Sequence, residues 1–246
     1  MSPRLSESPT PRSPLSPPRA SKSPLAFGAA DFKPVREAIL AIPPHTFDYE
    51  KLCIRHHEHD IFLSGSAKYV CHLRDYPAFA LLFSRLEGDS GRKSIAAEKE
   101  ALEQIENDAK RWGIDIASVP FDRPDFSVPC YDGGRVSTGM CAAFLEPWFD
   151  PSEYPFWFRY VSYGGSSLKE QMRRLHSPPA LAKACGDVRN LLTLAIDHNW
   201  SPSDDQGFLS RSGQVILSDP SAIRKPQAEH VNHLKQILAE LCAPAQ

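Results

Sequence analysis

Residues 200–220, WSPSDDQGFLSRSGQVILSDP, decide the fold of this chain. Two short apolar segments, GFL and VILS, flank a Ser-Gly turn, and this pattern predicts a β-hairpin. Asp204 lies in the acidic loop before the first strand, and Asp219 ends the second strand. Because a hairpin brings its two outer ends together, both carboxylates can lie over one pocket.

The segments around the hairpin predict its neighbours. Residues 180–198 carry an apolar stripe at helical spacing and predict the helix before it, and residues 227–241 predict the helix after it. The other predicted elements are helices at 33–42, 94–112 and 166–175, two strands within 61–74, and strands at 76–86, 115–119 and 135–148. Strands gather in the N-terminal half and helices in the C-terminal half, which predicts an α+β fold.

The first thirty residues differ from the rest of the chain. Six Ser-Pro or Thr-Pro steps begin at Ser2, Ser8, Thr10, Ser13, Ser16 and Ser23. Pro and Ser at this density cannot bury a core, so residues 1–30 are predicted to be a disordered tail before a folded domain at 31–246. The tail could be a plain solvated segment, a target of proline-directed phosphorylation, or an unstructured secretion leader.

The bulk composition is that of a globular protein with a substantial core. Hydrophobic residues make up 41% and charged residues 24%, and the formal net charge is −2. Nothing in this charge indicates nucleic acid as a partner. No apolar run of about 18 residues predicts a membrane span. No apolar segment near the N-terminus predicts a Sec-type signal peptide, which leaves the cytoplasm, or secretion by another route, as the expected location.

Six cysteines are scattered through apolar surroundings, and none forms a CxxC pair. The expectation is therefore buried free thiols in a reducing compartment. The run HHEHD at 56–60 has metal-ligating side chains. Because neighbouring strand residues point to opposite faces, only His57 and His59 could share an ion, and a second pair would be needed. A solvated strand entry is the favoured interpretation of this run.

The hairpin resembles the catalytic loop and metal-binding strand of protein-kinase-like enzymes. In that family the first Asp faces the attacking hydroxyl and the second holds Mg²⁺ on the ATP phosphates. The resemblance thus implies catalytic roles for Asp204 and Asp219 and a metal site at Asp219. Gln206 or Asp205 would replace an Asn that the family has at the metal. The Asp-Pro step at 219–220 is similar to compact bacterial and phage members. Alternatively, Asp219 caps the turn that follows it.

The N-terminal half contains a segment that resembles the family's glycine-rich loop, LSGSAKYV at 63–70. The resemblance implies that Gly65 approaches the phosphates and that Val70 packs on adenine. An ordinary hairpin turn explains the same residues. Further along, Arg85 occupies the place of the family's phosphate-binding lysine, and Lys68 could substitute for it.

The helix predicted at 94–112 offers the acidic partner that such a cation requires. Glu98 is the first choice, and Glu103 is the alternate. The strand predicted at 135–148 ends in Glu146-Pro-Trp, where kinase-like proteins have a hinge whose backbone binds adenine. A strand that ends at a proline turn is the alternative.

Taken as a whole, the resemblance implies a two-lobe protein-kinase-like fold. A small sheet lobe would span about 45–148 and a helical lobe about 149–246, truncated because few residues follow Asp219. The implied function is ATP- and Mg²⁺-dependent phosphoryl transfer to Ser, Thr or Tyr of a protein, as in compact secreted effectors. The first alternative is a pseudokinase that binds protein partners without catalysis, and a small-molecule phosphotransferase is the second. The sequence leaves the substrate and the oligomeric state open.

Overall fold

The computed structural model describes residues 22–56, 63–64, 68–132, 135–159, 167–202 and 206–242, which form an α+β fold. The helices in this part of the chain are α1 (Ala29–Leu40), α2 (Tyr49–Leu52), α3 (Gly88–Trp112), α4 (Leu168–Met172), α5 (Pro178–Asp197) and α6 (Ala228–Leu241). The strands are β1 (Leu63–Ser64), β2 (Lys68–His72), β3 (Phe79–Ser84), β4 (Ala117–Ser118), β5 (Phe126–Asp132), β6 (Arg135–Pro147), β7 (Phe156–Arg159), β8 (Ser201–Pro202), β9 (Gln206–Leu209), β10 (Val215–Ser218) and β11 (Ile223–Arg224).

The N-terminal half is built on a five-stranded antiparallel sheet in the order β1-β2-β3-β6-β5. Its central strand β3, FALLFS, is buried along its whole length because both faces of the sheet are covered. Phe79, Leu81 and Phe83 face the core formed with α1, whereas Ala80 and Leu82 face the core beneath α3. This alternation follows from the two-residue period of a strand.

Helix α3 connects the two halves of the molecule. Near its start, Ile95 packs against the five-stranded sheet, and Ile105 lies in the core of the C-terminal helices. At its end, Trp112 stacks on His198 with ring centroids 4.1 Å apart, and the indole N–H of Trp200 donates to Asp108 at 3.1 Å. Gly113, with φ of +65°, then ends the helix as a left-handed cap.

A second sheet has four strands in the order β4-β10-β9-β7, and all of them except β4 come from the C-terminal half of the chain. The predicted hairpin is confirmed as β9 and β10, which pair antiparallel, whereas β10 and β4 pair in parallel. The four residues of β10 are all buried, and helices α5 and α6 cover the sheet through a core that includes Val215 and Leu217. The buried strand therefore fixes the position of Asp219, which follows it directly.

The cysteines correct the sequence prediction. All six form disulfides, Cys53–Cys71, Cys130–Cys141 and Cys185–Cys242, so the expectation of buried free thiols is wrong. The partners are 18, 11 and 57 residues apart, and only strand register and helix packing bring them together. Such bridges are typical of a non-reducing location rather than of the cytoplasm. Among the described helices, none combines the length and hydrophobicity that crossing a bilayer requires.

Two of the differences from the predicted elements have local causes. β5 was not predicted because Pro129 lies inside it, and the strand tolerates this proline at the sheet edge, beside a register shift. β7 was not predicted either. Pro178 and Pro179 begin α5, because proline is favoured at the first helical positions, where its missing N–H costs no hydrogen bond.

Candidate active site around Lys68

Lys68 is the centre of the candidate site. It is the first residue of β2, opposite Ser84 of β3, and only 8% of it is exposed. Its ammonium forms an ion pair with Glu98 and lies 2.8 Å from a carboxylate oxygen of Asp219. Burial lowers the pKa of Lys68, but the nearby carboxylates, with Glu98 first, raise it overall above its ordinary value. The ammonium therefore stays charged inside the protein.

Glu98 reaches Lys68 because it lies on the buried face of α3. Ile95 and Leu102, three residues before it and four after it, pack against the five-stranded sheet. Glu98 shares their face and is itself buried. Burial raises its pKa to about 7, and Asp219 adds to this effect while Lys68 opposes it. A carboxylate on an apolar stripe is the sequence signal that identifies this residue.

Asp219 follows β10 directly, with φ of +54°. A non-glycine residue in this region is strained by about 1–3 kcal/mol, although Asp and Asn tolerate it better than most residues. The Asp219 side chain is 39% exposed, whereas that of Lys68 is only 10% exposed. Asp219 therefore lies between the buried ion pair and the solvent, on the side from which a ligand can approach.

Glu146 is the third carboxylate near Lys68. Its backbone lies in the β3–β6 ladder opposite Ala80, while its side chain interacts with the Lys68 ammonium. Burial raises the pKa of Glu146 to about 8, Lys68 opposes the rise, and Glu98 and Asp219 add to it. The sequence analysis assigned Glu146 a backbone contact with adenine, which stays a prediction. The side chain of Glu146 adds a third negative charge near the ammonium, which Glu98 and Asp219 contact directly.

We expect Glu146→Gln to flatten the pH dependence of stability. The folded-state pKa of about 8 lies above the ordinary value of 4.5. The protonated carboxyl therefore makes its full contribution to the free energy of unfolding below pH 4.5, and this contribution is lost as pH rises through 8. Between pH 5 and 8 the free energy of unfolding of the variant should fall by about 1 kcal/mol less per pH unit than that of the wild type. Urea unfolding at each pH measures this. Glu106→Gln, at an exposed pair with Arg123, is the control that should follow the wild type.

The two cations considered in the sequence occupy opposite faces of the sheet. Arg85 follows β3, and its guanidinium lies 4.8 Å from the centroid of the Tyr69 ring. Tyr69 packs on the core shared with α1, on the other face from Lys68. The structure therefore brings Lys68, rather than Arg85, to Glu98. Glu103, the alternate acid, pairs with exposed Arg123 at 3.1 Å instead of with Lys68.

Two more of the residues predicted for the site lie near Lys68 and near the strand end that carries Asp219. Val70 lies on the same face of β2 as Lys68 and packs against the core beneath α3. Gln206 begins β9 in register with Ser218, so it lies beside the strand end that carries Asp219. Other residues named in the sequence analysis lie outside the described residues, namely Gly65, Asp204, Asp205, His57 and His59.

The sequence analysis missed an aromatic stack at the other end of β2. The rings of His72 and Trp148 are parallel with centroids 4.0 Å apart, and a ring nitrogen of His56 lies 2.8 Å from one of His72. Burial lowers the pKa of His72, while the Pro77 carbonyl, which hydrogen-bonds to the ring, opposes the change. Lys68, Val70 and His72 alternate along β2, so this spacing could have predicted one shared face.

The donor set suits Mg²⁺ better than a metal that needs a full protein cage. Among the described residues, no group of three or more His, Cys, Asp or Glu side chains could hold a metal ion. Mg²⁺ is usually held by one or two carboxylates together with phosphates and water. Asp219 offers one partly exposed carboxylate, and the backbone of Gln206 lies in register with Ser218, the residue before Asp219.

The sequence matches no protein-family model, and no curated protein is significantly similar to it. Function must therefore be argued from the geometry around Lys68. A buried ammonium held by one buried acid and one half-exposed acid can bind an anionic ligand and a cation side by side.

Proposed function

We propose that this protein is an ATP-dependent phosphotransferase of the protein-kinase type that acts on a hydroxyl group of a protein. The observation that carries the proposal is the position of Lys68 between Glu98 and Asp219. In protein kinases, a lysine paired with a helix glutamate binds ATP phosphates, and an aspartate holds Mg²⁺ nearby. The three groups come from β2, α3 and the end of β10, which are distant in sequence.

The order of elements supports the same proposal. An antiparallel sheet carries Lys68, and α3, packed on that sheet, carries Glu98. β6 then leads into residues 148–155, which connect to the half that contains the helices and the hairpin ending at Asp219. A kinase-like two-lobe fold has its parts in this order, with ATP between the lobes. The proposed lobe boundary accordingly stays near residue 148.

Each residue would have a distinct task. Lys68 would bind phosphate oxygens of ATP, and Glu98 would hold the ammonium in place. Asp219 and Gln206 would hold Mg²⁺, which neutralises phosphate charge when it is bound. Asp204 would accept the proton of the substrate hydroxyl, whose oxygen bonds to the γ-phosphorus as the bond to the β–γ bridging oxygen breaks. ADP and a phosphorylated protein are the products.

A protein-binding pseudokinase is the second candidate. Three carboxylates around one ammonium favour it, because their negative charge repels a polyphosphate unless a cation accompanies it. The presence of Lys68 beside Glu98 argues in the other direction, because a lysine paired with a helix glutamate binds ATP phosphates in protein kinases. Binding of Mg·ATP distinguishes the two candidates.

We expect Mg·ATP to raise the melting temperature of the wild type and not that of Asp219→Asn. A ligand at 100 times its Kd stabilises by about 2.7 kcal/mol, which corresponds to about 5–10 °C for a domain of this size. Asn is chosen because it tolerates the positive φ, whereas Ala would add backbone strain. Differential scanning fluorimetry with and without Mg·ATP measures the shift.

Matched variants on one helix sharpen this test. Glu98→Gln should reduce the shift, whereas Glu103→Gln, five residues further along α3 and more exposed, should preserve it. No shift in the wild type would contradict ATP binding and favour the pseudokinase. A shift that Asp219→Asn retains would contradict the site. Transfer of labelled γ-phosphate to a protein, rather than to an aminoglycoside or sugar, would then identify the acceptor class.

A further inference from the structure

The segment 23–27, which we call the strap, contacts both halves of the molecule. Phe27 packs edge-on against Phe79 of β3, with ring centroids 4.8 Å apart, beside the core shared with α1. Leu25 packs against a different cluster that contains Phe149 and Ile216, the latter from β10. Two residues of the strap therefore connect the five-stranded sheet to the four-stranded sheet.

Polar contacts fix the start of the strap. The ammonium of Lys22 lies 2.7 Å from the Asp31 carboxylate and 5.1 Å from the centroid of the Phe27 ring. Ser23 is exposed, and its hydroxyl lies close enough to the Tyr154 hydroxyl to lower the pKa of that tyrosine, although burial raises the pKa overall. Tyr154 in turn packs edge-on against Phe149 at 5.0 Å.

We infer that Ser23 is a phosphorylation site for a proline-directed serine/threonine kinase, and that a phosphate there releases the strap. Ser23 precedes Pro24, the sequence feature that such kinases require. The Ser23 oxygen would bond to the γ-phosphorus of ATP as the bond to the β–γ bridging oxygen breaks, ADP leaves, and the hydroxyl proton passes to the kinase base. This inference does not depend on the proposed activity of the chain itself.

Ser23 is the best placed of the Ser-Pro steps that the structure describes. Ser177 precedes the prolines that begin α5 and is the N-cap of that helix. Ser201 is buried, so a kinase cannot reach it in the folded protein. Of these three serines, only Ser23 is both exposed and part of a segment that contacts two hydrophobic cores. A modification there can change the structure without unfolding a core element.

The charge around the Ser23 hydroxyl explains why phosphate would release the strap. Phosphoserine carries about −1.5 to −2 charges at neutral pH. Glu153 lies close enough to the Tyr154 hydroxyl to raise the pKa of that tyrosine, although burial has a larger effect in the same direction. A phosphate beside this carboxylate is repelled, and it also competes with Asp31 for Lys22. Both effects oppose the docked strap.

The burial of Pro24 determines the order of events. A kinase must bind the Ser-Pro step in an accessible form, whereas Pro24 is buried when the strap is docked. The kinase would therefore modify molecules in which the strap has opened transiently. The phosphate would then shift the population towards the open form, because its charge is repelled by nearby carboxylates in the docked form and is hydrated in the open form.

The test uses the full chain with the five earlier steps removed as Ser2→Ala, Ser8→Ala, Thr10→Ala, Ser13→Ala and Ser16→Ala. A proline-directed kinase with Mg·ATP should add phosphate at Ser23, located by peptide mass spectrometry, and Ser23→Ala should remove it. Phosphorylation should speed amide hydrogen exchange in residues 24–31 by about tenfold or more. Adding Asp219→Asn to the background removes the proposed activity of the chain, so failure of that proposal does not affect this result.

Tyr154→Phe tests the strap without any kinase. It removes one hydroxyl and keeps the ring that packs on Phe149, so the fold should persist. Exchange in residues 24–31 should again become faster, by a few-fold, because one anchor is lost. Two results would overturn the inference: no phosphate at Ser23, or unchanged exchange after phosphorylation. Unchanged exchange in Tyr154→Phe would show that the hydroxyl pair does not hold the strap.

Discussion

Replacing Lys68 by methionine is expected to lower the free energy of unfolding by about 3–5 kcal/mol at pH 8, the usual loss when one partner of a buried ion pair is removed. The substitution keeps most of the side-chain volume but leaves Glu98 buried without its paired cation and removes the positive charge near Glu146. At pH 5 the loss should be much smaller, because both carboxyls hold their protons below pKa values of about 7 and 8. Urea unfolding at the two pH values measures the difference.

Two further variants make this prediction specific. Lys99→Met removes another buried lysine, but its partner Asp125 is exposed and water can replace the lost contact, so the loss should stay below about 1 kcal/mol. The double variant Lys68→Met/Glu98→Gln should recover more than half of the loss at pH 8, because it removes the unpaired charge. Equal losses at pH 5 and pH 8 would contradict the electrostatic explanation.

Reduction of the disulfides is expected to remove most of the stability. The Cys185–Cys242 bridge closes a loop of 57 residues, for which chain entropy predicts about 4 kcal/mol, and the two shorter bridges add smaller amounts. The whole free energy of unfolding of a typical domain is only about 5–15 kcal/mol. Thermal melts with and without a non-thiol reductant should therefore differ greatly, and the reduced chain should be largely unfolded at 37 °C.

A single-bridge variant serves as the control for reduction. Cys185→Ala/Cys242→Ala removes only the link between α5 and the end of α6, and about 4 kcal/mol corresponds to about 8–16 °C in melting temperature. This variant should remain folded at 25 °C and should still respond to reductant through the other two bridges. Identical melts of the wild type with and without reductant would mean that the cysteines are not paired in solution.

Much of the fold follows from local pattern in the sequence. The stripe that includes Ile95 and Leu102 predicts α3, and Gly113 predicts where it ends. The two apolar segments around the Ser-Gly turn predict β9 and β10. β5 could not be predicted in this way, because Pro129 is acceptable only at a sheet edge, and the edge is defined by the tertiary structure.

The candidate site was predictable only in part, because it depends on strand register. Counting along the chain assigned the cation position to Arg85, whereas the pairing of Lys68 with Ser84 places Lys68 on the face that α3 covers. The disulfides also depend on register and packing, since partners up to 57 residues apart carry no local signal. The sequence analysis chose Glu98 as the partner of the cation and Asp219 as the metal ligand, and both carboxylates contact Lys68 in the structure.

Because α3 is attached to the C-terminal half at its far end, a small change in its direction would be large at Glu98. Trp112 and Asp108 attach its far end to the C-terminal half, while Glu98 lies about 20 Å closer to its start, at 1.5 Å per residue. A rotation of about 5° around that attachment would move Glu98 by nearly 2 Å, enough to separate it from Lys68. The stacked rings of Trp112 and His198 and the Lys68–Glu98 ion pair are therefore linked through a single helix, so the position of one end constrains the other.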